Sequence, residues 1–303
     1  MDTIKKMHFI WGNDVLSYYR YLTLLSFRTY NPDWEIYFHT FKSTCKVNPW
    51  ITPEKQDNAE YNGRDYMDKI GDLDIKILEY DETDMHPVHV SDIYRWQIIN
   101  EYGGFYCDMD VLFINKVSDE LLELLNDETA IGYSHYYYIP EVGNENMYDT
   151  WPIGFLYSTK NNGGTEKIYD WVVEGYKHDS YQAAGFEVLK YRFKNDIGIE
   201  SRIGEYNPIN MERCGIYTHD CDQVYKMYST ISENTGFGFS KVSKFWEEGI
   251  QNIDKSFFGI HWYGGHQLSQ NVNNKLSETD FSILEDTILG HYLAKLLGDI
   301  ENG

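Results

Sequence analysis

The sequence predicts an α/β fold in one compact domain, with a mostly parallel sheet and crossover helices across residues 5–115. Three observations predict it. Short apolar or alternating runs recur at Met7–Trp11, Trp34–Phe41, Asp74–Tyr80 and Phe105–Ile114. Segments with helical length and capping chemistry separate the first run from the second and the third from the fourth. No repeat, low-complexity tract or linker divides the 303 residues, a length that can bury a substantial core.

The elements follow in order. Met7–Trp11 stops at Gly12-Asn13, and Asn13 or Asp14 can cap a helix over about Val15–Tyr30, which Asn31-Pro32 ends. Trp34–Phe41 alternates with period two, as a half-buried strand does. Residues 43–72 are polar and carry Pro49, Pro53, Gly63 and Gly71, the composition of loops with room for a short helix. Asp74–Tyr80 is the next strand. A helix over about Ser91–Tyr102 ends at Gly103-Gly104. Phe105–Ile114 then reads as a strand with acids in its middle, before a Leu-rich helix (Glu120–Leu125) and a Tyr-rich strand (Ala130–Ile139). Asn161-Asn162-Gly163-Gly164 is a hairpin signal. The second half is less regular and closes on an amphipathic helix, Glu278–Leu297, capped by Ser277.

Charge excludes some functions. The formal net charge is −22, which repels polyanions and argues against a broad nucleic-acid face; the only basic strip lies at Lys190–Lys194. The first residues lack a secretory apolar run, and no stretch approaches the ~20 apolar residues of a membrane span. Cys45, Cys107, Cys214 and Cys221 have no framework spacing and read as free thiols. A soluble, cytoplasmic protein is expected. The 27 tyrosines suit a groove that stacks on sugars, and equally suit cores and strands.

The chemistry centres on Asp108 and Asp110. Side chains two apart on an extended segment project to the same side, here where the pattern calls for apolar residues. Like charges beside a core are costly unless a cation or several donors offset them. Mg²⁺ or Mn²⁺ prefers such oxygen ligands, and a diphosphate can complete the shell. An isolated Asp-x-Asp triplet is as readily a solvated loop. Upstream, Asp92 and Arg95 share a helix face at i, i+3. They could form a cap and its ion pair, or an acid that accepts sugar hydroxyls with an Arg that orients it.

Ser91-Asp-Ile-Tyr-Arg95 and Gly103-Gly-Phe-Tyr-Cys-Asp-Met-Asp110 together resemble the SDxxR…GGxYxDxD block of the DXD-containing "sugar-binding region" glycosyltransferases. That group includes the Och1-like mannosyltransferases and the glucosylating domains of large clostridial toxins. Lys6–Gly12 is similar to its first strand, and Asn31-Pro-Asp-Trp-Glu-Ile36 to the start of its second. The resemblance implies a GT-A fold: a Rossmann-like nucleotide-sugar-binding sheet over about 5–115, an acceptor-side α/β portion with a closing loop over about 116–275, and the C-terminal helix over 277–300. It implies a UDP- or GDP-sugar donor, Mn²⁺ or Mg²⁺, and retention of anomeric configuration. It assigns Trp11 to stacking on the nucleobase, worth about 1–3 kcal/mol. Asp92 and Arg95 would hold the donor sugar, Asp108 the ribose or metal, and Asp110 the metal. Downstream, Gly259-Ile-His261-Trp262-Tyr-Gly264-Gly-His266 is similar to the family's H-x-x-x-G segment, making His261 a third metal ligand and placing Trp262 or His266 near the phosphates. The Trp or Lys-Pro-Trp that often follows is replaced by His266-Gln267-Leu268, so the residue that stabilises the departing diphosphate is left open. Trp151 falls where relatives border the acceptor. A carbohydrate or glycolipid acceptor is expected; a protein side chain, a modified DNA base and a non-catalytic sugar- or nucleotide-binding relative are the alternatives.

Overall fold

The computed structural model describes residues 4–12, 15–45, 61–133, 136–138, 148–150, 153–179, 184, 207–210, 216–217, 258–262, 264, 267–285 and 287–302. Strand β1 (Lys6–Ile10) leads to helix α1 (Tyr18–Tyr30), β2 (Glu35–Phe41), a 3-10 helix (Met67–Leu73), β3 (Lys76–Tyr80), helix α2 (Pro87–Tyr102), β4 (Gly104–Cys107) and β5 (Val111–Phe113). Helix α3 (Asp119–Leu124) precedes β6 (Ala130–Tyr133), β7 (Tyr136–Tyr138), β8 (Tyr148–Thr150), β9 (Phe155–Ser158) and helix α4 (Gly163–Gly175). Then come β10 (Asn207–Asn210), β11 (Ile216–Tyr217), β12 (Gly259–His261), helix α5 (Gln267–Lys275), a 3-10 turn (Ser282–Leu284) and helix α6 (Ile288–Asn302).

Seven strands form the main sheet in the order β10-β6-β9-β4-β1-β2-β3. The expected parallel half is present: β1 pairs in parallel with both β2 and β4, and β2 with β3. Strand β9 runs antiparallel between β4 and β6. A smaller sheet, β11-β12-β5, receives the chain immediately after β4. Alternation along β1 sets the layers. Met7 and Phe9 join the cluster holding Leu22 and Phe27 of α1, whereas Ile10 joins Ile93 and Trp96 of α2. Each such apolar side chain contributes roughly 1.5–3 kcal/mol on burial. On the α2 side, His8 Nε2 donates to the Gly103 carbonyl at 3.0 Å, so its Nδ1 accepts from His39 Nε2 at 3.0 Å. His39 Nδ1 in turn accepts from the Tyr80 hydroxyl at 3.0 Å. Burial lowers both imidazoles, His8 to about 4.

Several boundaries depart from the sequence expectation. Asn13 and Asp14 lie outside the described residues; Ser17 caps α1 by accepting from the Arg20 amide. Helix α2 begins four residues before Ser91, because Pro87 occupies its first turn and the His86 imidazole accepts from the Val88 amide. Ser91 therefore sits inside the helix, its hydroxyl bonded to the Val88 carbonyl at 2.9 Å. The strand expected over Phe105–Ile114 is broken at 108–110 into β4 and β5, which belong to different sheets. The Tyr-rich strand is likewise divided into β6 and β7, in separate sheets. Asn161–Gly164 starts a helix rather than a hairpin: Asn162 Oδ1 accepts from the Gly164 and Thr165 amides at 3.0 and 3.2 Å. The closing helix starts at Ile288, not Glu278. Ser277 Oγ takes the Asp280 amide, and Asp280 Oδ1 takes the Ser282 amide and hydroxyl, local bonds that compete with a helical turn.

Candidate active site

The site forms where β4 hands the chain to β5. Gly103 and Gly104 turn helix α2 into β4 with φ of 70° and 106°, and a Cβ on Gly104 would lie 2.7 Å from both the Lys6 carbonyl oxygen and Cβ. Only glycine meets both demands. Strand β4 thereby runs close beside β1 and ends at Cys107, after which the Asp108 amide bonds the Gly154 carbonyl at 2.8 Å. Met109 is buried in the α1-side core, and Thr23 donates to its carbonyl at 3.1 Å.

The two acids flanking Met109 enter different networks. Asp108 Oδ1 accepts the Tyr106 hydroxyl at 2.6 Å and lies 3.2 Å from Arg95 Nη1. Arg95 is buried and spends its donors locally: Nη2 to Asp92 Oδ1 at 2.5 Å, Nη1 to the Ile153 carbonyl at 2.6 Å and Nε to the Ser91 carbonyl at 2.9 Å. Its guanidinium also lies over the Tyr106 ring, 4.5 Å from the centroid. Burial raises the Asp92 carboxyl to about 7 against the pull of Arg95. The expected i, i+3 pairing of Asp92 and Arg95 is thus real, and it is joined to Asp108.

Asp110 belongs to the closing segment. Its Oδ2 stands 3.2 Å from His261 Nε2 and accepts the Gly264 amide at 2.7 Å, while the Trp262 amide bonds its carbonyl at 2.9 Å. Strand β12 makes this meeting possible by pairing antiparallel with β5, His261 opposite Val111. Burial pushes the Asp110 carboxyl up, but the His261 charge and hydrogen bond, with Arg20 and the Gly264 amide, outweigh it and hold Asp110 well below the usual carboxylate range. The imidazole responds oppositely: burial lowers it, and Asp110 more than restores it, leaving His261 above its ordinary value. Asp110 Oδ1 is buried with no hydrogen-bond partner among the described residues.

These features test the expected metal set. Among the described residues no three His, Cys, Asp or Glu side chains converge as a cation cage. Asp110 and His261 come together; Asp108 Oδ1 is engaged by Tyr106 and Arg95. An unpartnered, buried carboxylate oxygen beside an imidazole is nonetheless the donor chemistry a divalent cation takes, with diphosphate and water oxygens supplying the remainder.

Residues 19–130 match the family described as the glycosyltransferase sugar-binding region containing the DXD motif, and Asp108-Met109-Asp110 lies inside the match. Residues 19–130 thus carry the DXD-type glycosyltransferase region. The chain has a mixed α/β fold, as expected, with the sheet order given above. No curated protein sequence matches it significantly. Solved structures with similarity include the PaToxG glycosyltransferase (17% identity, 66% of this chain and 73% of that chain, TM-score 0.44). Galactosyltransferase LgtC in complex with donor and acceptor sugar analogues follows at 14% identity, 97% of this chain, 95% of that chain and TM-score 0.40. GlyE from Streptococcus pneumoniae TIGR4 has 14% identity and a TM-score of 0.48; 97% of this chain covers 64% of GlyE, so the chain spans less than two thirds of that protein.

Of the remaining sequence-assigned residues, Trp11 is half-buried at the end of β1, its amide held by the His39 carbonyl at 2.9 Å. Trp262 is 1% exposed and stacks on Tyr19 with centroids 3.8 Å apart, as part of the packed core. His266 and Trp151 lie outside the described residues. Sequence reasoning missed Arg20, whose guanidinium lies 4.9 Å from the ring centroids of both Trp11 and Trp262. It also missed Gly154, where a Cβ would fall 2.7 Å from Asp108 Oδ2. No local motif marks either; each acquires its place through a distant chain segment. Among the described residues no helix is long and apolar enough to cross a membrane.

Proposed function

We propose that this glycosyltransferase moves a sugar from a UDP- or GDP-sugar to a carbohydrate or glycolipid acceptor, with retention of configuration and with Mn²⁺ or Mg²⁺ as cofactor. The observation that carries this reading is Asp110, a carboxylate kept ionised in a buried place with one oxygen left unpartnered beside His261. Asp110 and His261 would hold the cation, which when bound neutralises the diphosphate as a leaving group. The mixed oxygen and imidazole ligands suit Mn²⁺ better than Mg²⁺. Trp11 receives the nucleobase at the end of β1. Asp92 accepts donor-sugar hydroxyls, and Arg95 fixes that carboxylate while orienting Asp108. Asp92 is held by Arg95 in the helix rather than presented as a free nucleophile, which favours attack by the acceptor from the leaving-group side over a covalent glycosyl intermediate. Residues from about 116 onward form the acceptor side in this scheme, within one domain. The acidic net charge sets aside DNA as acceptor and leaves a protein side chain as the second choice.

Slow donor hydrolysis across a panel of nucleotide-sugars with Mn²⁺ provides the test. One donor should turn over, EDTA should abolish the activity, and Mn²⁺ should restore it more fully than Mg²⁺. Asp110→Ala should lower the rate by about 10²–10⁴-fold, as loss of electrostatic stabilisation at a reacting group does, while far-ultraviolet circular dichroism stays native. Equal rates in Asp110→Ala and wild type would sink the assignment.

A further inference from the structure

We infer that the Thr44 hydroxyl recognises the donor's nucleobase: it hydrogen-bonds the base edge, on the side of Trp11 away from Asp110. The inference rests on the donor reading above and adds a residue that no motif marks.

Three observations converge on it. Thr44 is 8% exposed, and its Oγ1 is buried with no hydrogen-bond partner among the described residues. Taking a hydroxyl out of water without returning a bond costs the full desolvation of the group, which a valine of the same shape would avoid. The backbone around this hydroxyl is fixed. Past the ends of β2 and β3 the Lys42 amide bonds the Tyr80 carbonyl at 3.0 Å, the Thr83 amide the Ser43 carbonyl at 2.9 Å, and the Cys45 amide the Met85 carbonyl at 3.0 Å. Finally, a Cβ on Gly12 would lie 3.6 Å from Thr44 Oγ1 and 3.1 Å from Pro87 Cβ, so the hydroxyl stands beside the residue that follows Trp11.

The strand order turns this placement into a role. Strands β4, β1 and β2 are neighbours in that order, and β1 is parallel to both others. Asp110 follows β4, Trp11 follows β1 and Thr44 follows β2. All three therefore lie past the carboxyl ends of adjacent strands, the edge where open α/β sheets take ligands. Neighbouring strands are about 4.8 Å apart, which sets β2 about 10 Å from β4. A nucleoside diphosphate carries its pyrophosphate and the hydrogen-bonding edge of its base at opposite ends, with the ribose between them. With the pyrophosphate at Asp110 and the base on Trp11, that edge points on towards Thr44. A hydroxyl both donates and accepts. It can donate to a ring carbonyl or accept from the ring N–H beside it, groups that uracil and guanine both present. The bond is the same before and during transfer, so it contributes to donor affinity and leaves turnover unchanged.

The test titrates inorganic pyrophosphate, UDP, GDP and the 2′-deoxy forms of both nucleotides into wild type, Thr44→Val and Thr44→Ser, by calorimetry with Mn²⁺. Wild type should bind UDP or GDP more tightly than pyrophosphate. Thr44→Val should weaken that nucleotide and its 2′-deoxy form alike by about 3–10-fold, the loss expected of one neutral hydrogen bond, with pyrophosphate changed less than about twofold. Thr44→Ser keeps the hydroxyl and should lose less than Thr44→Val; the reverse order overturns the inference. Without ligand, Thr44→Val should melt no lower than wild type, because an unpartnered buried hydroxyl has been removed. A variant that melts lower or fails to fold shows that the protein already uses the hydroxyl, and the inference fails. Unchanged nucleotide affinity in Thr44→Val overturns it too, as does a loss shared equally by pyrophosphate, which marks a distorted site. A loss that vanishes with the 2′-deoxy form assigns the hydroxyl to the ribose and overturns the base assignment. A wild type that binds neither nucleotide better than pyrophosphate would instead overturn the donor reading on which this rests.

Discussion

Replacing Arg95 with Met is the most demanding perturbation of the site's scaffold. The side chain is 3% exposed and makes an ion pair with Asp92 at 2.5 Å and with Asp108 at 3.2 Å, beside bonds to two backbone carbonyls. Methionine matches its reach without its charge. Stripping the cation from a buried pair costs about 3–5 kcal/mol, because the carboxylate left behind is neither hydrated nor paired. A domain of this size loses roughly 2–4 °C of melting temperature per kcal/mol, so a fall of about 6–20 °C is expected near pH 8. The sign of the pH dependence follows from Asp92, whose folded value is raised by burial to about 7 from an ordinary 3.8. Stability from such a group is full below the unfolded value and is lost as pH rises through the folded one. At pH 5 both proteins carry a neutral Asp92, and the deficit shrinks to the missing hydrogen bonds and the lost Asp108 pair. Above pH 7 wild type holds an ionised, paired carboxylate, whereas Arg95→Met must keep it protonated, and the deficit grows with each pH unit. Urea titrations at pH 5 and pH 8 measure it. A deficit below about 0.5 kcal/mol at pH 8, or one equal at both pH values, would refute this account of the cluster.

Other expectations are more local. Gly104→Ala should cost about 1–3 kcal/mol or more in urea unfolding, since it adds strain at φ 106° to a backbone clash with Lys6; a loss under 0.5 kcal/mol would contradict the geometry. His8 is lowered to about 4, so the unfolded chain takes up its proton first and stability declines as pH falls from 6.5 towards 4. By pH 4.5 this single group removes about 2–3 kcal/mol, and His8→Asn should show a shallower decline over the same window than wild type. Asn162→Ala should cost about 1 kcal/mol through loss of the α4 cap, read from thermal melts against Asn162→Asp, which keeps an acceptor. Because His261 is raised by Asp110, and a cation requires the neutral imidazole, Mn²⁺ binding followed by calorimetry should release protons and weaken as pH is lowered.

Much of this was legible in the sequence. The first three parallel strands, their order of appearance and the Asp92–Arg95 pair follow from local alternation and i, i+3 spacing, which need no distant information. His261 was legible only through the family segment, and β12 does set it opposite Val111 and against Asp110. The helix boundaries failed where side chains supply the backbone bonds. Asn162 in a Gly-Gly context signals a hairpin as strongly as a cap, and only the tertiary position of α4 against α2 decides between them. Ser277 and Asp280 had the capping residues of a helix start, yet close a tight turn on themselves. Arg20 was invisible for another reason. Its neighbours Trp262 and Gly264 lie about 240 residues away in sequence, and one arginine in an amphipathic helix carries no periodic signal.

The broken strand changes the electrostatics first read from the motif. Two carboxylates on one continuous extended segment would face the same way and need a shared cation to coexist. Instead the chain leaves the main sheet after Cys107 and enters the smaller one at Val111, with Met109 sunk into the core at the bend. Each acid then acquires its own cationic partner, Arg95 for Asp108 and His261 with Arg20 for Asp110. The like-charge cost is thereby met by protein groups, so the pair can be built into the fold without ligand. The same division also separates tasks. Asp108 is tied to helix α2 and the Asp92 carboxyl, whereas Asp110 is tied to β12 and the Gly264 amide of the closing segment. A shift of that segment would move His261, Gly264 and Asp110 together while leaving the Asp92–Arg95–Asp108 cluster in place. Placing the motif at a change of sheet thus ties Asp110 to β12 and Asp108 to helix α2.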